Sequence, residues 1–234
     1  EKAGIYWAYC FGNHEAREEK SYYKYLIFKS LIDYPHCLSK FGNPDLFGFG
    51  NFMINIMNSE TEIKHSLFFF DSGRDVIERH ALNDNVPLEY VNSYDYIKPS
   101  QIRWYENELK SLRNTYGEVK NSLYMHIPIP EYKQIFKLDE NGDYMRDGNG
   151  ELLREADKQL IKNENADILY GRAFETVGCS KHNSGLFESM KKNNAVAIFS
   201  GHDHVNDIAF RLENILLVYV QYASYNAYNL GNYD

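Results

Sequence analysis

The chain alternates short apolar runs with amphipathic stretches. Ile5 to Phe11 is apolar throughout and stops at Gly12, which predicts a buried strand, and Glu15 to about Ser30 places Tyr23, Leu26, Ile27 and Ser30 on one face of a helix. Phe49 to Ile56 alternates as a strand does, and His65 to Phe70 is an apolar strand closing on Asp71-Ser72-Gly73. From Arg74 to Lys98 periodicity fades, predicting a surface loop. Pro99 then opens a helix in which Ile102, Tyr105, Leu109, Leu112 and Tyr116 recur at spacings of three and four, with Ser100 as its cap and Gly117 as its stop. Leu123 to Ile127 predicts a short strand with His126 at its exit. Gly142, Gly148 and Gly150 punctuate an acidic excursion read as a surface insertion around 137–175, and no internal repeat stands out in it. Asn183 to Lys192 reads as a helix and Ala195 to Phe199 as a buried strand. Phe210 to Leu212 and Ile215 to Val220 form a closing hairpin. Strands alternating with helices, followed by late strand pairs, predict an α/β fold with a mixed sheet.

In such folds ligands gather where strands end at their carboxyl side. Asn13-His14, Asp71, His126 and Gly201-His202-Asp203-His204 all follow predicted strands. Asn13, His126, His202 and His204 make a nitrogen and oxygen donor set suited to Zn, Mn or Fe, and Gly12 and Gly201 are expected to let the backbone turn tightly beside them. Asp71 reads as a strand-end structural carboxylate. The acidic run 139–143 fails as a calcium loop, because Tyr144 stands at its sixth position and Gly150 at its twelfth.

Composition narrows the class. The 234 residues, 44% hydrophobic and 25% charged, suit one globular domain over 1–234. A formal net charge of -8 disfavours nucleic acid as a partner and favours small or peptide-borne substrates. No apolar run approaches the ~20 residues of a membrane span. The 3 cysteines are too few for a disulfide framework, although one pair could form. The first residues show no initiator Met or signal peptide, an expectation of a chain cut from a longer one. The absence of an Asn-x-Ser/Thr acceptor favours a cytoplasmic over a secreted location.

Gly12-Asn13-His14-Glu15, His126 and Gly201-His202-Asp203-His204 together resemble the metallophosphoesterase (calcineurin-like) superfamily. Phe68 to Gly73, Gln101 to Trp104, His126 to Tyr132, Asn183 to Phe187 and His202 to Asp207 follow in order the branch related to purple acid phosphatases 28/29 and the Dcr2-type phosphatases. The resemblance implies an α/β sandwich lacking its first strand-helix units. It further implies a phosphomonoesterase acting on a phosphorylated small molecule or phosphoprotein, with two metal ions (Fe, Mn or Zn) sharing a hydroxide. Asn13, His126 and His202 would hold one metal and His204 the other. His14 would assist at the phosphate, with Glu15 orienting its ring. The same ligands would serve a phosphodiesterase or nucleotidase, and a noncatalytic module could keep the fold. The Asp-x-His and Gly-Asp motifs that complete the first metal's ligands in the family are absent from these residues, which alone are therefore expected to turn over poorly. Tyr219-Val220-Gln221 stands where a Gly-Arg step is expected, and Ser224, Asn226 and Ala227 stand in a stretch that is glycine-rich in the branch.

Overall fold

The computed structural model describes residues 3–15, 21–222 and 228. Its helices are α1 (Ser21–Ile32), α2 (Glu78–Asp84), α3 (Pro99–Tyr116) and α4 (Leu186–Lys192). The strands are β1 (Phe52–Ser59), β2 (Glu62–Phe69), β3 (Asn121–Met125), β4 (Asp167–Ala173), β5 (Ala195–Ser200), β6 (Asn206–Leu212) and β7 (Ile215–Tyr219). They form one mixed seven-stranded sheet in the order β1-β2-β3-β5-β7-β6-β4, the α/β arrangement the sequence predicts. Its centre, β2-β3-β5-β7, is parallel, and antiparallel pairs close both edges.

Strands β5 and β7, and the carboxyl-terminal ends of β2 and β3, are apolar on both faces, as a covered parallel sheet requires. On one face Phe68, Phe70, Leu123, Met125, Ile198 and Leu217 pack with Tyr105, Leu109 and Leu112 of α3. On the other, successive strands contribute Phe52, Phe69, Tyr124 and Phe199, whose rings stack in sequence at centroid spacings of 4.6, 5.0 and 4.9 Å. Such cross-strand aromatic contacts fix register, since a slip of one residue would turn every ring to the opposite face. The β6–β7 hairpin turns on Glu213 and Asn214, both at positive φ, as a two-residue turn between twisted strands requires.

Asp71, just past β2, joins four segments. Lys24 of α1 donates to both carboxylate oxygens at 2.7 Å, and the N–H groups of Phe49 and Gly73 donate to one each. Its own N–H donates to Asn51 Oδ1, and its carbonyl accepts from Gln101 Nε2 of α3, which also donates to Asn51. The carboxylate thus has the structural role read from the sequence.

Several expectations are corrected. The 5–11 segment forms a single bridge, Trp7 to Cys37, in place of a buried strand, and Ile5 and Tyr6 are 67% and 66% exposed. Apolar character alone fixed that expectation, and it does not say whether a neighbouring strand exists to pair with. The helix expected from Glu15 is described as α1 over Ser21–Ile32, and 16–20 lie outside the described residues. The 74–98 stretch carries α2 and a small core of Val76, Ala81, Val86 and Tyr96. It also holds a buried ion pair, Lys98 to Asp95 at 2.5 Å. These elements are too short to show a period. Helix α3 is capped by Lys98, whose N–H donates to Gln101 Oε1 at 2.7 Å, and not by Ser100, because Pro99 fills the first helical position. All three cysteines are free.

The acidic excursion proves to be a tandem repeat of eight residues, 138–145, 146–153, 154–161 and 162–169. Bridges Leu138 to Tyr144, Arg146 to Leu152 and Arg154 to Leu160 close the first three units. In the first, Asp139 Oδ1 accepts the N–H groups of Asn141 and Asp143, and in the second Asp147 Oδ1 accepts those of Asn149 and Glu151. Arg146 and Arg154 donate across their turns to the carbonyls of Gly150 and Lys158 at 2.7 Å. The seventh residue of each unit, Tyr144, Leu152, Leu160 or Ile168, faces the main core. The repeat escapes a reading of identities because its letters vary: Asp139, Asp147 and Asn163 each accept the N–H two residues on, while Glu155 stands in the third unit and accepts from Lys162 instead.

Two measurements test these features. Lys24→Met strips the buried Asp71 carboxylate of its cation and is expected to cost about 3–5 kcal/mol, read as a lowered urea midpoint. An unchanged midpoint would refute the role given to the pair. Gly142 and Gly150 adopt φ 80° and 84°, and the equivalent third-turn residue, Lys158, adopts φ 65°. Lys158→Gly should therefore raise stability by up to about 1 kcal/mol, and a loss would contradict left-handed strain there.

Candidate metal centre

Three backbone segments deliver the expected donors to one place at the carboxyl edge of the sheet. His126 leaves β3 directly after Met125, and His202 follows β5 by two residues. His126 Nε2 lies 3.0 Å from Asn13 Oδ1 and 3.3 Å from His202 Nδ1. Ligands held about 2.0–2.2 Å from one ion stand roughly 3.0–3.4 Å from each other, so these separations match the edges of a coordination polyhedron. His204 Nδ1 is buried without a hydrogen-bond partner among the described residues. Such an orphaned nitrogen fits a site where an ion is its missing partner. Among the described residues no group of three His, Cys, Asp or Glu could hold a metal ion, since the gathered set is two imidazoles and the amide of Asn13.

Burial, then the charges of neighbouring histidines, pull His126 down to about 4 and His202 down to about 3. Both rings are neutral at physiological pH, as metal ligands must be.

The His202–His204 loop is fastened by residues that motif reading passed over. Asp203 is buried between the two histidines; it accepts Gly178 N–H at 3.1 Å on both oxygens and Tyr219 O–H at 2.5 Å on Oδ2. Burial is the main cause that pushes its carboxyl up to about 7. Asn206 Oδ1 accepts the N–H groups of Phe174 and Glu175, and Glu175 Oε1 accepts Val205 N–H. A Cβ on Gly178 would come within 2.7 Å of both Asp203 Oδ1 and His202 Cδ2, so only glycine admits this approach. The sequence signal was present in the polar residues between and after the two histidines, which a ligand search skips. The expected tight glycine turn is corrected too: positive φ falls on His202, at 75°, and on neither Gly12 nor Gly201.

His14 is exposed beside the cluster, and its charge contributes to lowering His126 and His202. Glu15 accepts from Tyr9 O–H at 3.1 Å, and no hydrogen bond joins it to His14 among the described residues. The expected ring-orienting contact is therefore missing, because Glu15 turns toward Tyr9. Aromatic rings border the histidines: Tyr94 meets His202 edge-on at 4.5 Å, and Tyr228 stacks on His204 at 4.2 Å with its hydroxyl donating to Glu175. Ser224, Asn226 and Ala227 lie outside the described residues.

No protein-family model matches the chain, and no solved structure matches it. Among curated proteins of Arabidopsis thaliana, it is 25% identical over 248 residues to "Probable inactive purple acid phosphatase 29", covering 98% of this chain and 54% of that protein. It is 27% identical over 244 residues to "Probable inactive purple acid phosphatase 14", covering 97% and 52%. With "Probable inactive purple acid phosphatase 28" the identity is 25% over 250 residues, covering 98% and 52%. The chain spans about half the length of the curated relatives it matches. The chain is thus similar in sequence to proteins named as purple acid phosphatases, and its mixed α/β sheet is consistent with the metallophosphoesterase type.

Proposed function

We propose that this chain forms the metal-binding part of a phosphoric ester hydrolase acting on phosphomonoesters, carried by a small molecule or a phosphoprotein. The approach of His126 Nε2 to Asn13 Oδ1 at 3.0 Å and to His202 Nδ1 at 3.3 Å carries the reading. These three would hold one ion and His204 a second, with Fe, Mn or Zn compatible with the donor set. When bound, the ions supply Lewis-acid polarisation of the phosphoryl group and a more acidic attacking water. Burial keeps the His126 and His202 lone pairs free of protons. His14, exposed beside the cluster, would give a proton to the departing oxygen. A phosphodiester or nucleotide substrate would use the same donors, and the Dcr2-type branch belongs to this proposal.

A second reading has its own support: all three relatives carry "inactive" in their names. Under it the chain is a noncatalytic module that keeps the fold and one metal.

Calorimetric titration with Zn²⁺ or Mn²⁺ should show one saturable site, weakened at least about 100-fold by His126→Ala or His202→Ala. Retention of wild-type affinity in both variants would sink the metal-site reading. Parallel assays with phosphomonoester and phosphodiester substrates then decide the rest. Metal-dependent monoester turnover by a form that includes the Asp-x-His and Gly-Asp motifs supports the enzyme, and saturable metal without turnover in that form supports the module.

The lowered histidines give a second prediction. Because their folded values lie below the unfolded one, the unfolded state binds more protons as pH falls past about 6.5. The stability these rings contribute is present above that pH and is lost as pH falls toward 4 and below. In an NMR titration of the metal-free chain, the His126 and His202 ring signals should stay fixed through pH 6.5 and move near 4 and 3. Titration at the ordinary histidine value would contradict their burial.

A further inference from the structure

We propose that Asp203 is the positioning residue of the metal-binding loop, holding His202 in a strained backbone conformation that aims its Nδ1 at His126 Nε2. The inference rests on the metal-site reading above and adds what fixes the ligand. His202 has φ 75°, left-handed for a residue with a side chain. That conformation costs about 1–2 kcal/mol and persists only where the surroundings over-determine it. Asp203, the next residue, supplies the constraint, with Gly178 N–H on both carboxylate oxygens and Tyr219 O–H on Oδ2. Tyr219 is fixed in turn by burial at the end of β7, edge-on to Tyr132 at 4.7 Å.

The other half of the clamp is held by the eight-residue repeats. Tyr144 Oη accepts Val177 N–H at 2.7 Å. Arg154 donates to the Phe174 carbonyl at 2.8 Å, and Gln159 Oε1 accepts Ala173 N–H at 3.0 Å. The repeats therefore hold the 173–178 segment, that segment holds Asp203, and Asp203 holds His202. The strand end brings the histidine to the site, and the carboxylate sets its direction.

The test uses the 234-residue chain titrated with Co²⁺, whose visible bands report coordination geometry, with thermal melting of the metal-free protein measured alongside. Asp203→Ala should weaken Co²⁺ binding at least about 10-fold and alter the band envelope. Asp203→Asn, which keeps an acceptor for Gly178 N–H, should stay within about threefold of wild type. A structural role alone would lower the melting temperature and leave the bands of the bound state unchanged; that result, or wild-type affinity in Asp203→Ala, overturns the inference. Should Asp203→Ala fail to fold, Tyr219→Phe removes one clamp bond within an intact core and should shift the same bands, and unshifted bands refute the proposal. If wild type shows no saturable Co²⁺ site, or His126→Ala binds as wild type does, the metal-site reading itself fails and the inference falls with it.

Discussion

The buried carboxylate of Asp71 is the constraint on which the sheet's functional edge depends. A charge at 1% exposure is tolerable only when a counter-ion and hydrogen bonds replace the water it has lost, and here Lys24 and the backbone N–H groups of Phe49 and Gly73 do so. Because these partners, together with the Asn51 and Gln101 side chains that bond the Asp71 main-chain N–H and carbonyl, come from α1, the approach to β1, the loop after β2 and α3, satisfying this one residue sets the relative placement of all four. The next residue carries the order to the site: Ser72 Oγ accepts Ile127 N–H at 3.0 Å, fixing the β3 exit on which His126 stands.

The two histidine-bearing loops are anchored by separate polar networks. His126 belongs to the Asp71–Ser72 side. His202 and His204 belong to Asp203, Asn206 and the 173–178 segment buttressed by the repeats. Below both lies the sheet, held in register on one face by the four stacked aromatic rings. Rigid strands with polar loop anchors place donors accurately at low cost in mobility, since each loop's backbone groups are satisfied internally.

That economy also bears on the names of the relatives. Gathering an amide and two neutral imidazoles requires only burial and hydrogen bonding, which a fold can keep whether or not turnover accompanies it. No helix among the described residues is long and apolar enough to cross a membrane.

Much of the architecture was legible in the order of residues. The three-four spacing of Tyr105, Leu109 and Leu112 specified α3, the apolar runs specified β2, β3, β5 and β7, and the polar residues after them marked the edge where His126, His202 and Asn13 meet. These are local properties, set by side-chain periodicity and by where a strand must stop. Pairing and constraint across the fold were not legible. Ile5 to Phe11 has the composition of a buried strand yet makes a single bridge and leaves Ile5 and Tyr6 exposed, the repeats share turn geometry while their letters differ, and His202, not its preceding glycine, takes the left-handed turn. Each of these was decided by partners distant in sequence, Cys37 for Trp7 and Gly178 with Tyr219 for Asp203, because a backbone conformation costly by itself becomes stable only when tertiary hydrogen bonds leave it no alternative.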